Sequence, residues 1–148
     1  MQKCTLALGC FWKPEETFKS KPGIIETEVG YAGGLNEKVT YEEVCNGNTG
    51  HAEVVRLTFD ENIISFKKII DLFFKMHDPT QKDMQYPDVG TQYRSEIFYE
   101  TDQQKQEASK ILNEFNKKFD GKIQTNISKI KNYCKAEEYH QKYIEKNK

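Results

Sequence analysis

No run of this chain is long and apolar enough to span a bilayer, which takes ~20 residues. Its greasiest stretch, Ile69-Ile70-Asp71-Leu72-Phe73-Phe74, is broken by an aspartate. Between Met1 and Cys10 there is no basic region followed by an apolar stretch and a cleavage site, so no secretory signal is read and a cytoplasmic setting is expected. Arginine is scarce, with only Arg56 and Arg94, and neither sign of charge dominates: 22 basic against 23 acidic residues leave a formal net charge of -1. That balance gives no electrostatic footprint for nucleic acid or an anionic membrane. The lysines of the last quarter are interleaved with Glu137, Glu138 and Glu145, as on a solvated face. Cys4, Cys10, Cys45 and Cys134 contain no C-x-x-C pair, so thiol chemistry is a better reading than a disulfide framework. His51, His77 and His140 have none of the close spacings of a metal clamp, and no metal site is expected.

Against these absences stand 33 Leu, Ile, Val and Phe residues in a chain of 148 with almost no net charge, a composition outside the disordered class. A chain of this length buries roughly 68–70% of its unfolded surface. One domain over residues 1–148 is expected.

Periodicity and punctuation predict a strand at Lys3–Leu8, then a helix over Cys10–Ser20 with Pro14 in its first turn, where a missing N–H costs little. A second strand follows at Ile24–Val29, and a long polar loop runs from Tyr31 to about Gly50. Ala52–Phe59 alternates as a strand with one buried face. Ser65 caps a helix whose stripe is Phe66, Ile69, Ile70, Phe73 and His77, closed by Pro79. A second long loop, Gln81–Gln92, precedes a strand at Tyr93–Tyr99. Thr101 and Gln104 match a capping box for a helix that buries Ala108, Ile111, Leu112, Phe115 and Phe119 and ends at Gly121. A fifth strand is placed at Ile123–Ile127 and a terminal helix at Ala136–Lys146. The order opens as the split β-α-β arrangement of α+β proteins, so the expected fold is a ferredoxin-like α/β sandwich with a mixed central sheet, added helices and long loops.

Cys10 falls where a strand turns into a helix, and backbone N–H groups there favour thiolate over thiol. The plain alternative is a small buried hydrophobe like Cys4. Phe11 and Trp12 beside it are either ordinary core or an apolar cage for a small alkyl group. Glu53 opens an apolar strand within Gly50-His51-Ala52-Glu53-Val54-Val55; burial would raise its pKa toward neutrality and suit it to donate a proton, while exposure would leave a solvated carboxylate. Tyr41, Asp88 and Tyr93 lie in or beside the two long loops, where binding groups tend to sit. Arg94 is as compatible with a structural ion pair as with substrate.

The strings Gly9-Cys10-Phe11-Trp12, Val29-Gly30-Tyr31-Ala32-Gly33-Gly34, Tyr41-Glu42-Glu43-Val44-Cys45, Thr49-Gly50-His51-Ala52-Glu53, His77-Asp78-Pro79, Asp88 to Ser95 and Glu138-Tyr139-His140-Gln141 stand in one order over nearly the whole chain. Together they resemble the A-type peptide methionine sulfoxide reductase family. The resemblance implies reduction of methionine S-sulfoxide, free or in proteins, by a monomer without metal or organic cofactor. It casts Cys10 as the attacking thiol, Glu53 as the acid, Phe11 and Trp12 as walls around the S-methyl group, and Tyr41, Asp88 and Tyr93 as the polar group around the sulfoxide oxygen. A sulfenic acid on Cys10 would follow, the first rung of thiol oxidation. Many members carry one or two recycling cysteines in a tail after the Tyr-His-Gln segment; here no cysteine follows Gln141. The reductant is therefore expected to be external, glutathione with glutaredoxin or thioredoxin, with Cys134 as an alternative resolving thiol ahead of Cys45 and Cys4. Lys13 stands where most members have glycine, and Glu37-Lys38-Val39 replaces a Pro-containing turn before Tyr41. Two competing readings are another Cys10-dependent enzyme, a peroxidase or Cys-His hydrolase, and a non-catalytic module that binds methionine side chains.

Overall fold

The computed structural model describes residues 1–148. The chain forms β1 (Gln2–Leu8), α1 (Trp12–Lys19), β2 (Ile24–Ala32), α2 (Tyr41–Cys45), β3 (Ala52–Phe59), α3 (Phe66–Met76), β4 (Met84–Gln85), β5 (Asp88–Val89), β6 (Ser95–Tyr99), α4 (Asp102–Lys118), β7 (Asn126–Lys129), β8 (Cys134–Lys135) and α5 (Tyr143–Lys146), with 3-10 turns at Thr91–Tyr93 and Glu138–His140. Six strands make one sheet in the order β7-β6-β1-β3-β2-β8, while β4 and β5 form a small hairpin apart from it. Every pairing is antiparallel except β6 with β7, which makes the sheet mixed. Its inner four strands, β6-β1-β3-β2, keep the split β-α-β order expected of the ferredoxin-like α+β class. No helix is long and apolar enough to cross a membrane.

Local sequence explains the helix starts. Ser65 Oγ accepts the Lys68 N–H at 3.1 Å and Thr101 Oγ1 accepts the Gln104 N–H at 3.2 Å, each satisfying a first-turn donor. The predicted α3 stripe is buried at Phe66, Ile69, Ile70 and Phe73. It packs with Phe11, Phe18, Ala108 and Ile111 on the face of the sheet formed by Cys4, Leu6, Val29, Tyr31, Val55 and Leu57. Each such side chain contributes roughly 1.5–3 kcal/mol on leaving water.

Several expectations are corrected. The alternation in β3 predicts one buried face, yet both faces are covered up to Val55, because Ile130 and Tyr133 lie over a second cluster of Ala7, Ala32, Ala52, Val54 and Phe98. The first loop contains α2, whose capping box joins Thr40 and Glu43; the second contains the hairpin and a 3-10 turn, so its strand starts at Ser95 rather than Tyr93. The fifth strand begins at Asn126 rather than Ile123, since Asn116 Oδ1 holds the Ile123 N–H at 3.0 Å and the Pro79 carbonyl holds that of Gln124 at 2.7 Å. The terminal helix is broken at Lys142, whose φ of 51° is left-handed. Cys134–Lys135 adds an edge strand against Gly30–Tyr31 that no alternation announces.

Candidate active site

Gly9 makes the turn from β1 into α1 with φ at 95°, and a Cβ there would press to 3.0 Å on the Gln85 side chain. This turn delivers Cys10 to the head of α1. The sequence predicts a thiolate, but the structure corrects this: burial pushes the Cys10 thiol up to about 11, the Trp12 backbone N–H only partly opposes it, and Glu53, Asp88 and Cys45 add to the rise. Desolvation and acidic neighbours outweigh the helix end. At neutral pH the sulfur keeps its proton.

Glu53 lies opposite Tyr31 in the β2–β3 register and is only 2% exposed. Its Oε1 accepts the Phe11 backbone N–H at 3.2 Å. Burial lifts its carboxyl to about 8, against the pull of that N–H and with help from Asp88. The expected neutral acid is therefore present at pH 7, hydrogen-bonded to the residue that follows the thiol. Tyr41 opens α2 and Tyr93 closes the 3-10 turn before β6. Burial drives both phenols upward, reinforced at Tyr41 by the Cys45 thiol and at Tyr93 by Glu53, so both remain donors. The half-buried Asp88, at the start of β5, is close enough to raise Cys10, Glu53 and Tyr93.

Beside this polar group stands an aromatic wall. Phe11 is buried against Tyr31, ring centroids 5.7 Å apart, and against His140 at 5.2 Å. The half-buried Trp12 stacks on Tyr143 at 3.9 Å and gives its indole N–H to His140 Nδ1 at 3.0 Å. His140 in turn lies 4.3 Å from the Tyr41 ring. The C-terminal segment that brings His140 and Tyr143 is pinned by side chains: Gln141 bonds both backbone groups of Val29 and the Ala136 carbonyl. Glu137 accepts from the Tyr31 hydroxyl and the Tyr41 N–H, and the buried Glu15 accepts the Lys142 N–H at 2.6 Å.

The structure thus brings Cys10, Glu53, Asp88 and Tyr93 within electrostatic reach of one another and Tyr41 within reach of Glu53 and Tyr93, while Phe11, Trp12 and Tyr41 pack around His140. Cys134 pairs with Tyr31 at the sheet edge, its sulfur 3.7 Å from the Val39 carbonyl. Cys4 is wholly buried and its thiol is pushed up by burial. Arg94 pairs with Glu96 at 2.7 Å, the structural choice. Cys10 and Asp88 border a cleft of about 370 Å³ lined also by Lys13, Thr17, Met76, His77 and Tyr86. No group of three or more His, Cys, Asp or Glu is arranged to hold a metal ion. Sequence reasoning gave no role to His140, Tyr143, Glu137 or Glu15; the Glu138 to Gln141 string was the one signal pointing to that segment.

A buried protonated acid beside a thiol, faced by phenols and an aromatic wall, defines a thiol enzyme that acts on a polar oxygen carried by a small apolar group. The family described as peptide methionine sulfoxide reductase matches residues 2–148. The peptide methionine sulfoxide reductase MsrA of Pelagibacter ubique is 56% identical over 146 residues, covering 99% of each chain. Mxr1 from Saccharomyces cerevisiae in reduced form superposes with a TM-score of 0.95 at 42% identity, over 99% of this chain and 85% of that one. Mxr1 in complex with Trx2 matches with a TM-score of 0.69 at 30% identity, over 96% and 84% of the two chains. This chain belongs to the peptide methionine sulfoxide reductase family.

Proposed function

We propose that the chain reduces methionine S-sulfoxide to methionine through Cys10, with Glu53 as proton donor. The observation that carries this is the state of Glu53: 2% exposed, tied to the Phe11 N–H and lifted to about 8. A sulfoxide sulfur becomes electrophilic when its oxygen gains a proton, and only a neutral acid can give one. Phe11 and Trp12 hold the S-methyl group, while Glu53, Tyr41, Asp88 and Tyr93 face the oxygen and burial keeps Glu53 protonated, with Asp88 adding to the effect. The Cys10 sulfur attacks the substrate sulfur and Glu53 protonates the oxygen. The thiol proton returns to the Glu53 carboxylate. Transfer of the oxygen to Cys10 leaves a sulfenic acid and methionine, with no net change in protons.

The oxidised sulfur is then recycled from outside: one thiol forms a mixed disulfide with Cys10 and releases water, and a second thiol frees it. The Trx2 complex of the yeast relative supports a thioredoxin as that reductant, and the cleft lined by Lys13 and His77 gives a thiol access to Cys10. A glutathione-dependent glutaredoxin satisfies the same chemistry. Such a cycle fits a cytoplasmic setting, and all the residues named come from one domain of one chain, so a monomer suffices.

His77, which lines the cleft beside Cys10, is not free to serve as the base of a Cys-His hydrolase. Both ring nitrogens of His77 are engaged, by the Phe73 carbonyl and Ser95 Oγ, each at 2.7 Å. His140 is committed to Trp12. The test is a single turnover without reductant on the S and R sulfoxides of methionine. We expect methionine from the S epimer alone and none from Cys10→Ser. Turnover of both epimers, or hydrogen peroxide consumed in place of sulfoxide, would overturn the reading.

A further inference from the structure

A sulfoxide sulfur carries three groups, and the proposed function accounts for two: the methyl against Phe11 and Trp12, and the oxygen toward Glu53, Tyr41, Asp88 and Tyr93. The third is the methylene that leads to the substrate's own backbone. It must leave the reaction centre by an opening beside Cys10. The cleft of about 370 Å³ offers that opening: Cys10 and Asp88 line it, while Phe11, Trp12, Tyr41, Glu53 and Tyr93 do not. Its volume lies in the roughly 300–1,000 Å³ range of ligand sites. One wall is a face of α1, since Cys10, Lys13, Pro14 and Thr17 stand at i, i+3, i+4 and i+7. The rest comes from Met76 and His77 at the end of α3 and from the hairpin, where Tyr86 is 78% exposed.

Lys13 and Asp88 are the only lining residues charged at neutral pH, because burial lowers the His77 pKa to about 4 and both of its ring nitrogens are engaged. The acids next to Lys13 in the chain are taken up elsewhere. Glu15 accepts from the Thr27 hydroxyl and the Lys142 N–H, and Glu16 pairs with Lys19 at 3.0 Å and Lys148 at 3.7 Å. Lys13 is thus an exposed cation without a partner, on the path by which the substrate backbone leaves the sulfur. Asp88, close enough to raise Cys10 and Glu53, repels an anion from the sulfur itself. Together the two charges give the cleft a direction.

We propose that this cleft is the subsite for the backbone side of the substrate, and that Lys13 makes it selective for a carboxylate carried next to the sulfoxide side chain. The inference rests on the reading of Cys10 as the group that attacks a methionine sulfoxide. Two sources supply such a carboxylate: the α-carboxylate of a free or C-terminal methionine sulfoxide, and an aspartate or glutamate beside the oxidised residue within a protein. Lys13 touches neither the sulfur nor the oxygen, so it acts on capture of the substrate rather than on attack. Once methionine has left, the same cleft is open to the recycling thiol.

The test uses single turnovers without reductant on S-sulfoxides that differ only in charge. One pair is N-acetyl-methionine sulfoxide with a free carboxylate and its N-methylamide; the other is a pair of amidated peptides in which aspartate or lysine follows the oxidised methionine. An exposed ion pair is worth a few-fold in affinity. In the ratio of maximal rate to half-saturating concentration, we expect wild type to favour the carboxylate-bearing member about three- to fivefold, with maximal rates within about twofold. Lys13→Gln should remove the preference and Lys13→Glu should reverse it, while about 0.5 M salt should abolish it in wild type. A preference confined to one pair supports the proposal and identifies the source of the carboxylate. No preference in either pair, or one that survives in Lys13→Glu, would overturn it. Binding of the same compounds to Cys10→Ser, followed by the fluorescence of the single tryptophan, keeps the two readings apart. The same charge ranking in binding, with no sulfoxide reduced by wild type, would overturn the proposed function and leave the assignment of Lys13 standing. Reduction without the ranking would overturn that assignment alone.

Discussion

Glu53 and His140 both contact Phe11, yet the chain holds them by different means. Glu53 sits inside β3, paired with Tyr31 of β2 and two residues from the last β1 pair at Val55, and its neighbours Ala52, Val54 and Val55 are fully buried. His140 sits on a stretch with almost no regular structure, fixed by a few polar side chains, chiefly Glu15, Glu137 and Gln141. Loss of one contact near Glu53 leaves a ladder of backbone bonds in place, whereas the C-terminal segment depends on each of its anchors. Segments held this way open at lower cost than core strands. The chemistry is thus carried by the sheet and the shape of the pocket by the segment, and substitutions in the two regions should separate rate from binding.

The largest effect is expected on the sheet side. Glu53→Gln should slow single-turnover methionine formation by about 10²-fold or more, because the amide cannot supply a proton. The same variant should change stability in the opposite sense. With its pKa raised from 4.5 to about 8, Glu53 keeps its proton in the folded chain while the unfolded chain loses it, so stability falls as pH rises from 4.5 to 8 and the loss is complete above that range. Glu53→Gln should remove this slope and gain on the order of 2–4 kcal/mol over wild type at pH 9 in urea unfolding. A variant less stable than wild type at pH 9 would mean that Glu53 is not buried as an acid.

The next effect belongs to the segment. Gln141→Leu leaves the Val29 N–H and the Ala136 carbonyl without their partner, while the Val29 carbonyl keeps the Ala136 N–H, and should cost about 2–3 kcal/mol. It should also weaken substrate binding while the maximal single-turnover rate stays within a few-fold of wild type. Equal losses of rate and binding would dissolve the contrast between the two regions. The smallest effect is expected at the edge strand β8. Cys134→Ser should leave the first turnover unchanged, and counting thiols after one round of substrate should show one lost in wild type and variant alike. Loss of two in wild type and one in Cys134→Ser would bring Cys134 into the cycle.

The same contrast decides what could be read from the chain beforehand. The α3 stripe and the caps at Ser65 and Thr101 follow rules of period and hydrogen bonding that act within a few residues, and they appear where the sequence puts them. Cys10 and Glu53 were legible for the same reason, one at a strand-to-helix turn and the other at the head of an apolar strand. The Cys10 protonation state was not, because it depends on burial and on acids from other parts of the chain: Glu53 and Asp88 lie 43 and 78 residues further on. The terminal segment resisted reading because its shape is set by long-range polar contacts. Glu15 reaches across 127 positions to Lys142, and Gln141 across 112 to Val29. The left-handed Lys142 and the two-residue β8 have no local signature that would reveal them.

The pH dependence of the single-turnover rate on methionine S-sulfoxide bears most directly on the two protons placed at the reaction centre. With Cys10 near 11 and Glu53 near 8, the reactive form carries both. We expect a rate that is level up to about pH 7 and declines as pH rises through 8, with no such decline in the slower Glu53→Gln variant. A wild-type rate that instead climbs through pH 8 would mean that thiolate formation, not the carboxyl proton, governs the step, and would contradict the role given to Glu53.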